Sequence, residues 1–207
     1  MADKYQPMVF IVEDDPAVVD SLCLLLRSAA HVVRSFACAE DFLDFYLPHM
    51  RGCLVLDLNL PSMDGLNLQS ELTAAGASLP IIFVTGTATV ATAVQALKAG
   101  AFEFLEKPYN ADTLLEFIAA ALEYDRKNWE ERLYQESVEE CIKNLTRREM
   151  EVMTYIINGH PSKVIAFELK LSQRTVDIYR ANVMQKMRTR SLATLVQMVG
   201  NVQLPEN

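Results

Sequence analysis

Short apolar runs recur along the first 123 residues of the chain, and each is followed by a stretch whose apolar positions return every three or four residues. The runs at 8–12, 31–36, 52–57, 80–84 and 102–106 read as strands. The clearest, CLVLDL and PIIFVT, show no apolar–polar alternation, as expected of strands covered on both faces. Helical spacing predicts helices over 16–29, 39–46, 65–75, 89–99 and 111–123. Pro16 suits a first helical position, and Gly76 and Gly100 suit helix ends. Five strand–helix units with short connections imply an α/β fold, a doubly wound five-stranded parallel sheet.

The pattern changes at 124–144, where the residues are densely charged and contain neither Gly nor Pro. This stretch is expected to be a helical linker that extends the fifth helix. Leu115, Ile118, Leu122, Trp129 and Leu133 form a seam at roughly helical spacing, but Asp125 interrupts it. Two readings stay open, a pairing surface between protomers and a solvated single helix. From Leu145 the pattern is helical throughout. Thr146 with Glu149 fits a capping box opening a helix over 147–158, and Gly159 ends it. Ser162–Leu169 reads as a short helix, Ser172 can cap a third to about Met187, and Ser191 a fourth to about Val199. The division is therefore 1–123, 124–144 and 145–207, the last a small all-α domain.

Charge separates the same regions. The net charge of −8 is the balance of −12 over residues 1–144 and +4 over residues 145–207, so only the C-terminal region is suited to a polyanion. Half of the chain is apolar, enough for ordinary cores. Cys23, Cys38, Cys53 and Cys141 have no CxxC pairing and no clustered His partners, and the first three sit among apolar or small neighbours as core fillers. There is no signal-peptide h-region and no apolar stretch of the ~18 residues that a membrane span needs. These features lead to the expectation of a reduced, soluble, cytoplasmic protein without a membrane partner.

Parallel sheets bind ligands beyond the carboxyl ends of their strands. Glu13, Asp14 and Asp15 follow the first strand, Asp57 ends the third run, Thr85 ends the fourth and Lys107 follows the fifth. A carboxylate nucleophile is ionised at neutral pH and needs no general base, but it must approach an anionic phosphoryl group. A hard divalent ion held by neighbouring carboxylates relieves that repulsion, and Mg²⁺ suits the task, with Mn²⁺ able to substitute. Lys107 offers a point charge to a phosphoryl oxygen and Thr85 a hydroxyl.

The pattern EDD…D-x-x-x-P-x-M-D-G…T-G…K-P over residues 8–123 resembles the receiver domain of bacterial two-component systems. The resemblance implies that Asp57 is the phospho-acceptor. It further implies that Asp14 and Asp15 hold Mg²⁺ with Asp57 and the Asn59 backbone carbonyl, Glu13 shaping the site without binding metal. By the same resemblance Thr85 and Lys107 would sense the phosphoryl group, Thr85 and Phe104 would form the switch, and the Lys107–Pro108 bond is expected to be cis. Phe104 stands where receivers often carry an aromatic, and it brings no hydroxyl to the switch. A Mg²⁺-dependent phosphohydrolase of the haloacid-dehalogenase type is the alternative. That chemistry needs a second Asp two residues after the nucleophile, where this chain has Asn59.

Residues 145–199 resemble the LuxR-type helix-turn-helix of the FixJ/NarL class of response regulators, carried by LTRREMEVM, NGHPSKVIAFEL and LSQRTVDIYRANVMQKM. Val176, Tyr179, Val183 and Met187 should face the core of that domain. Arg174, Asp177, Ile178, Ala181 and Gln185 lie opposite, on the face free to enter a major groove. Lys163, Arg174, Arg180, Lys186, Arg188 and Arg190 supply cations for phosphates, and Asp177, Ile178, Ala181 and Asn182 are candidates to read bases, with Thr175 beside them. Lys170 and Leu171 occupy a turn where the family often has Gly. The expected partners are a double-stranded DNA operator, a sensor histidine kinase, RNA polymerase and, on phosphorylation, a second copy of the chain. A phosphorylation-independent regulator that binds a protein partner is the remaining reading.

Overall fold

In the computed structural model, which describes residues 6–87 and 89–200, the elements run in the expected order. They are β1 (Met8–Val12), α1 (Pro16–Ser28), β2 (Val33–Phe36), α2 (Ala39–Phe45), β3 (Gly52–Leu56), α3 (Gly65–Ala74), β4 (Ile81–Thr85), α4 (Val90–Lys98), β5 (Glu103–Glu106), α5 (Ala111–Lys143), α6 (Arg147–Ile157), α7 (Ser162–Leu169), α8 (Gln173–Lys186) and α9 (Leu192–Gly200). The five strands are parallel, in the order β2-β1-β3-β4-β5. The second strand is shorter than expected and begins at Val33.

The unbroken apolar strands follow from two cores, one on each face of the sheet. Phe10, Val12, Leu54, Leu56, Ile81 and Phe83 point into one with α2, α3 and Ala96 of α4. Val9, Ile11, Cys53, Val55, Ile82 and Val84 point into the other with α1 and the first half of α5. A single strand thus feeds both cores through its two-residue period. Local signals set the helix ends. Asp15 caps α1 through the Ala17 N–H, Pro16 occupies its first turn, and Gly76 and Gly100 follow α3 and α4 with positive φ. Cys23, Cys53 and Cys141 are buried, Cys38 is half-buried, and all four are free thiols.

The chain divides into two compact units, Met1–Trp129 and Glu130–Asn207. The division falls within α5, one helix of 33 residues that runs through the stretch 124–143 expected to extend the fifth helix. Asp125, the residue that interrupts the apolar seam, is buried in the first unit and accepts a 3.1 Å bond from Arg51 Nε. The Arg51 guanidinium also lies over the Trp129 ring at 5.5 Å, and Tyr124 packs on Phe102. Further along the helix, Val138, Cys141 and Ile142 enter the core of the second unit with Val152, Met153, Ile156, Ile165, Val176, Val183, Met187 and Leu195. The capping box of Thr146 and Glu149 is present, and Ser172 caps α8. Residues 201–207 of the last expected region lie outside the described residues.

Candidate functional site

The strand register brings the polar residues together. The Asp57 N–H donates to Val12 O at 2.9 Å, which aligns the end of β3 with the end of β1 beside Glu13. The Lys107 N–H donates to Thr85 O at 2.7 Å, aligning β5 with β4, and the Lys107–Pro108 bond is cis. Lys107 Nζ reaches back across the pocket to Asp57 Oδ2 at 2.8 Å and Glu13 Oε2 at 2.6 Å. Asp57 Oδ1 accepts the Asn59 N–H at 3.0 Å, so both of its oxygens are engaged. Glu13 and Asp57 are 4% and 8% exposed. Burial pushes the Glu13 carboxyl up, with the charge of Asp57 adding to it and Lys107 only partly offsetting the rise. Burial acts downward on the Lys107 ammonium, but its bonds to Asp57 and Glu13 outweigh that and raise it. The pocket therefore favours a cation on Lys107.

Oxygens of Glu13, Asp14 and Asp57 lie within 4.8 Å of one another. Asp15, expected beside Asp14 as a metal ligand, is not in this cluster. Asp15 is turned away, its Oδ1 accepting the Ala17 N–H at 2.9 Å as the cap of α1, and Glu13 takes its place in the cluster. A helix beginning at Pro16 needs an acceptor one residue earlier, and that need claims Asp15. Thr85 is fully buried, and its Oγ1 accepts from Asn59 Nδ2 at 3.1 Å, while the same amide donates to Thr87 Oγ1 at 2.8 Å. Phe104 lies beside Phe83 with ring centroids 6.0 Å apart and packs against the core beneath α3 and α4. Two contributors escaped the sequence reading: the Asn59 side chain as a hydrogen-bond donor, and Gly65. A Cβ on Gly65 would stand 2.6 Å from Asp57 O and 2.9 Å from the Phe83 ring, so the M-D-G glycine marks close packing behind the acceptor.

In the second unit α7 and α8 are joined by a turn in which Lys170 takes the left-handed conformation, φ 54° and ψ 46°. That is the conformation for which Gly is favoured, and here a lysine adopts it. Val176, Val183 and Met187 are buried and Tyr179 half-buried, as the spacing predicts. Arg174, Asp177, Ile178, Ala181 and Gln185 are exposed together on the opposite face, Ile178 at 55%. Lys163, Arg188 and Arg190 are exposed, and Arg180 and Asn182 are half-buried. Two further expected contacts bond within the domain. The Thr175 hydroxyl shares a 2.7 Å bond with Ser172 in the cap of α8, and Lys186 Nζ donates to Glu149 Oε2 at 2.6 Å.

Comparison with known proteins places both domains in known families. The response regulator receiver domain family matches residues 9–119, and the luxR family of bacterial regulatory proteins matches residues 143–199. The chain belongs to the two-component response regulators. Nodulation protein W of Bradyrhizobium diazoefficiens is 40% identical to the regulator over 200 residues, spanning 97% of this chain and 88% of that one. The transcriptional regulatory protein FixJ of Azorhizobium caulinodans is 40% identical over 190 residues, spanning 92% and 90%. The solved structure of the response regulator StyR superposes with a TM-score of 0.86 at 42% identity, covering 95% of the regulator and all of that chain. A receiver joined to a luxR-type DNA-binding domain makes the regulator a two-component transcription regulator. No helix among the described residues is long and apolar enough to cross a membrane.

Proposed function

We propose that Asp57 takes a phosphoryl group from the phosphohistidine of a sensor histidine kinase, and that this event controls the DNA affinity of α8. The observation that carries the reading is the convergence of Asp57 with Lys107 and with the carboxylates of Glu13 and Asp14 beyond the parallel strands. An Asp57 oxygen attacks phosphorus in line, the bond to the kinase histidine breaks, and an acyl phosphate results. The oxygen-only donor set fits Mg²⁺ or Mn²⁺, which Glu13, Asp14, Asp57 and the Asn59 carbonyl would hold, leaving Asp15 to cap α1. When bound, the ion supplies the positive charge that lets one anionic group approach another.

Lys107, already on Asp57, follows the new charge onto a phosphoryl oxygen. The Thr85 hydroxyl leaves Asn59 for the same group, and Phe104 repacks in the space that opens. The face of α4, β5 and α5 then pairs two copies, whose α8 helices meet a two-fold operator. On the operator, Asp177, Ile178, Ala181 and Asn182 meet base edges, while Lys163, Arg174, Arg180, Arg188 and Arg190 meet phosphates. The bound dimer recruits RNA polymerase and activates transcription in the cytoplasm, acting as a switch and not as an enzyme. Incubation with Mg²⁺ and acetyl phosphate, followed by intact-mass measurement, tests the first step. Wild type should gain the mass of one phosphoryl group and Asp57→Asn none. A phosphorylated Asp57→Asn would place the acceptor elsewhere.

A further inference from the structure

The second unit holds a buried carboxylate on which three helices converge. Glu149, 4% exposed, stands in the first turn of α6, where its Oε2 accepts from the Thr146 N–H at 2.8 Å and from Thr146 Oγ1 at 2.9 Å. The same oxygen accepts from Lys186 Nζ, in the last turn of α8. That ammonium also donates to the carbonyl of Asn144 at 3.1 Å, just past the end of α5. One cation thus ties together the end of α5, the start of α6 and the end of α8. Its place against the Asn144 carbonyl at the C-terminal end of α5 adds the attraction of the helix dipole. Burial acts to raise the Glu149 carboxyl, but the bonds from Lys186 and Thr146 outweigh it and hold the carboxyl low, so it is a carboxylate at neutral pH.

Its position in a basic helix would otherwise make Lys186 a phosphate contact. Moving the ammonium to a phosphate would leave the buried Glu149 carboxylate without its cation, a costlier state than a solvated surface charge. The N-terminal end of α8 is held separately, by Ser172 accepting the Thr175 N–H at 3.0 Å. Nothing in that cap fixes the far end of the helix.

We propose that Lys186 and Glu149 are positioning residues for DNA recognition: their pair sets the angle at which α8 presents Asp177, Ile178 and Ala181 to the duplex, and Lys186 meets no phosphate. The inference rests on α8 being the element that enters the groove.

The test uses the full chain phosphorylated with Mg²⁺ and acetyl phosphate and a short duplex selected by wild type in that state from a random-sequence pool, with binding measured across a salt series and against a scrambled duplex. Lys186→Met and Glu149→Gln should each weaken binding of the selected duplex about tenfold and lower its preference over the scrambled one, with a wild-type slope of affinity against salt. Glu149→Gln retains a residue compatible with the capping box, and Lys186→Arg should restore both affinity and preference. Circular dichroism at the assay temperature shows whether each variant is folded, and Arg174→Met serves as the control whose salt slope falls by about one phosphate contact. The proposal is overturned if Lys186→Met reduces the salt slope as the control does, if Glu149→Gln binds like wild type, or if both variants weaken the two duplexes equally. A wild type that retains no duplex would overturn the DNA reading itself.

Discussion

The amide nitrogen of Asn59 donates to both Thr85 and Thr87, while the backbone N–H of the same residue holds Asp57 Oδ1. One residue therefore binds the acceptor and the hydroxyl that must later move toward it. A neutral hydrogen bond contributes about 1 kcal/mol net, and a difference of that size changes a two-state ratio roughly fivefold. Asn59→Ala should thus raise the DNA affinity of the unphosphorylated regulator about fivefold, measured by equilibrium binding without acetyl phosphate. Unchanged affinity would mean that the amide does not hold the resting loop. The signal in the sequence was weak, because Asn59 is conspicuous there chiefly as the residue that is not the second Asp of a hydrolase.

Helices α1, α6 and α8 each begin on a side-chain cap, Asp15, Thr146 and Ser172. Spacing alone identifies Thr146 and Ser172, whereas Asp15, expected as a metal ligand, is seen as a cap only where α1 starts. The α6 cap is also linked to pH. Glu149 titrates below the ordinary glutamate value, so the folded state binds its proton more weakly than the unfolded state. Its stabilising contribution is then complete above the unfolded value of about 4.3 and is lost as pH falls through the lower folded value. Hydrogen exchange of α6 and α8, corrected for intrinsic rates, should lose protection in wild type as pH drops below about 4. In Glu149→Gln that acid-dependent loss should be smaller, and an equal loss would assign the acid sensitivity to another group.

Across the whole molecule, α5 is the element that enters both cores, through Leu114, Ile118 and Ala121 in the first unit and Val138, Cys141 and Ile142 in the second. Asp125 and Arg51 anchor it where it passes the amino end of β3, the strand that carries Asp57 just beyond its other end. Removing one member of a buried ion pair costs about 3 kcal/mol, whereas replacing both with apolar groups is often neutral. Asp125→Ala should therefore destabilise the first unit by about 2–3 kcal/mol in urea unfolding, and Arg51→Met with Asp125→Leu should recover most of the loss. A change below about 0.5 kcal/mol in the single variant would show that the pair is not an anchor.

Periodicity suffices to declare the parallel sheet, the helical second domain and the strand-end positions of Asp57, Thr85 and Lys107, because a strand buried on both faces and a helix buried on one leave different repeats. The charge contrast between the two ends of the chain is equally open to reading. Folding alone assigns the partners. Asp15 goes to a helix N–H, Glu13 joins Asp14 and Asp57, Lys186 turns to Glu149, and Asp125 meets a guanidinium 74 residues away. A charged side chain carries the same letter whether it is solvated, paired or poised for a ligand. Which of these it becomes depends on atoms that the chain brings near it only after the cores have closed.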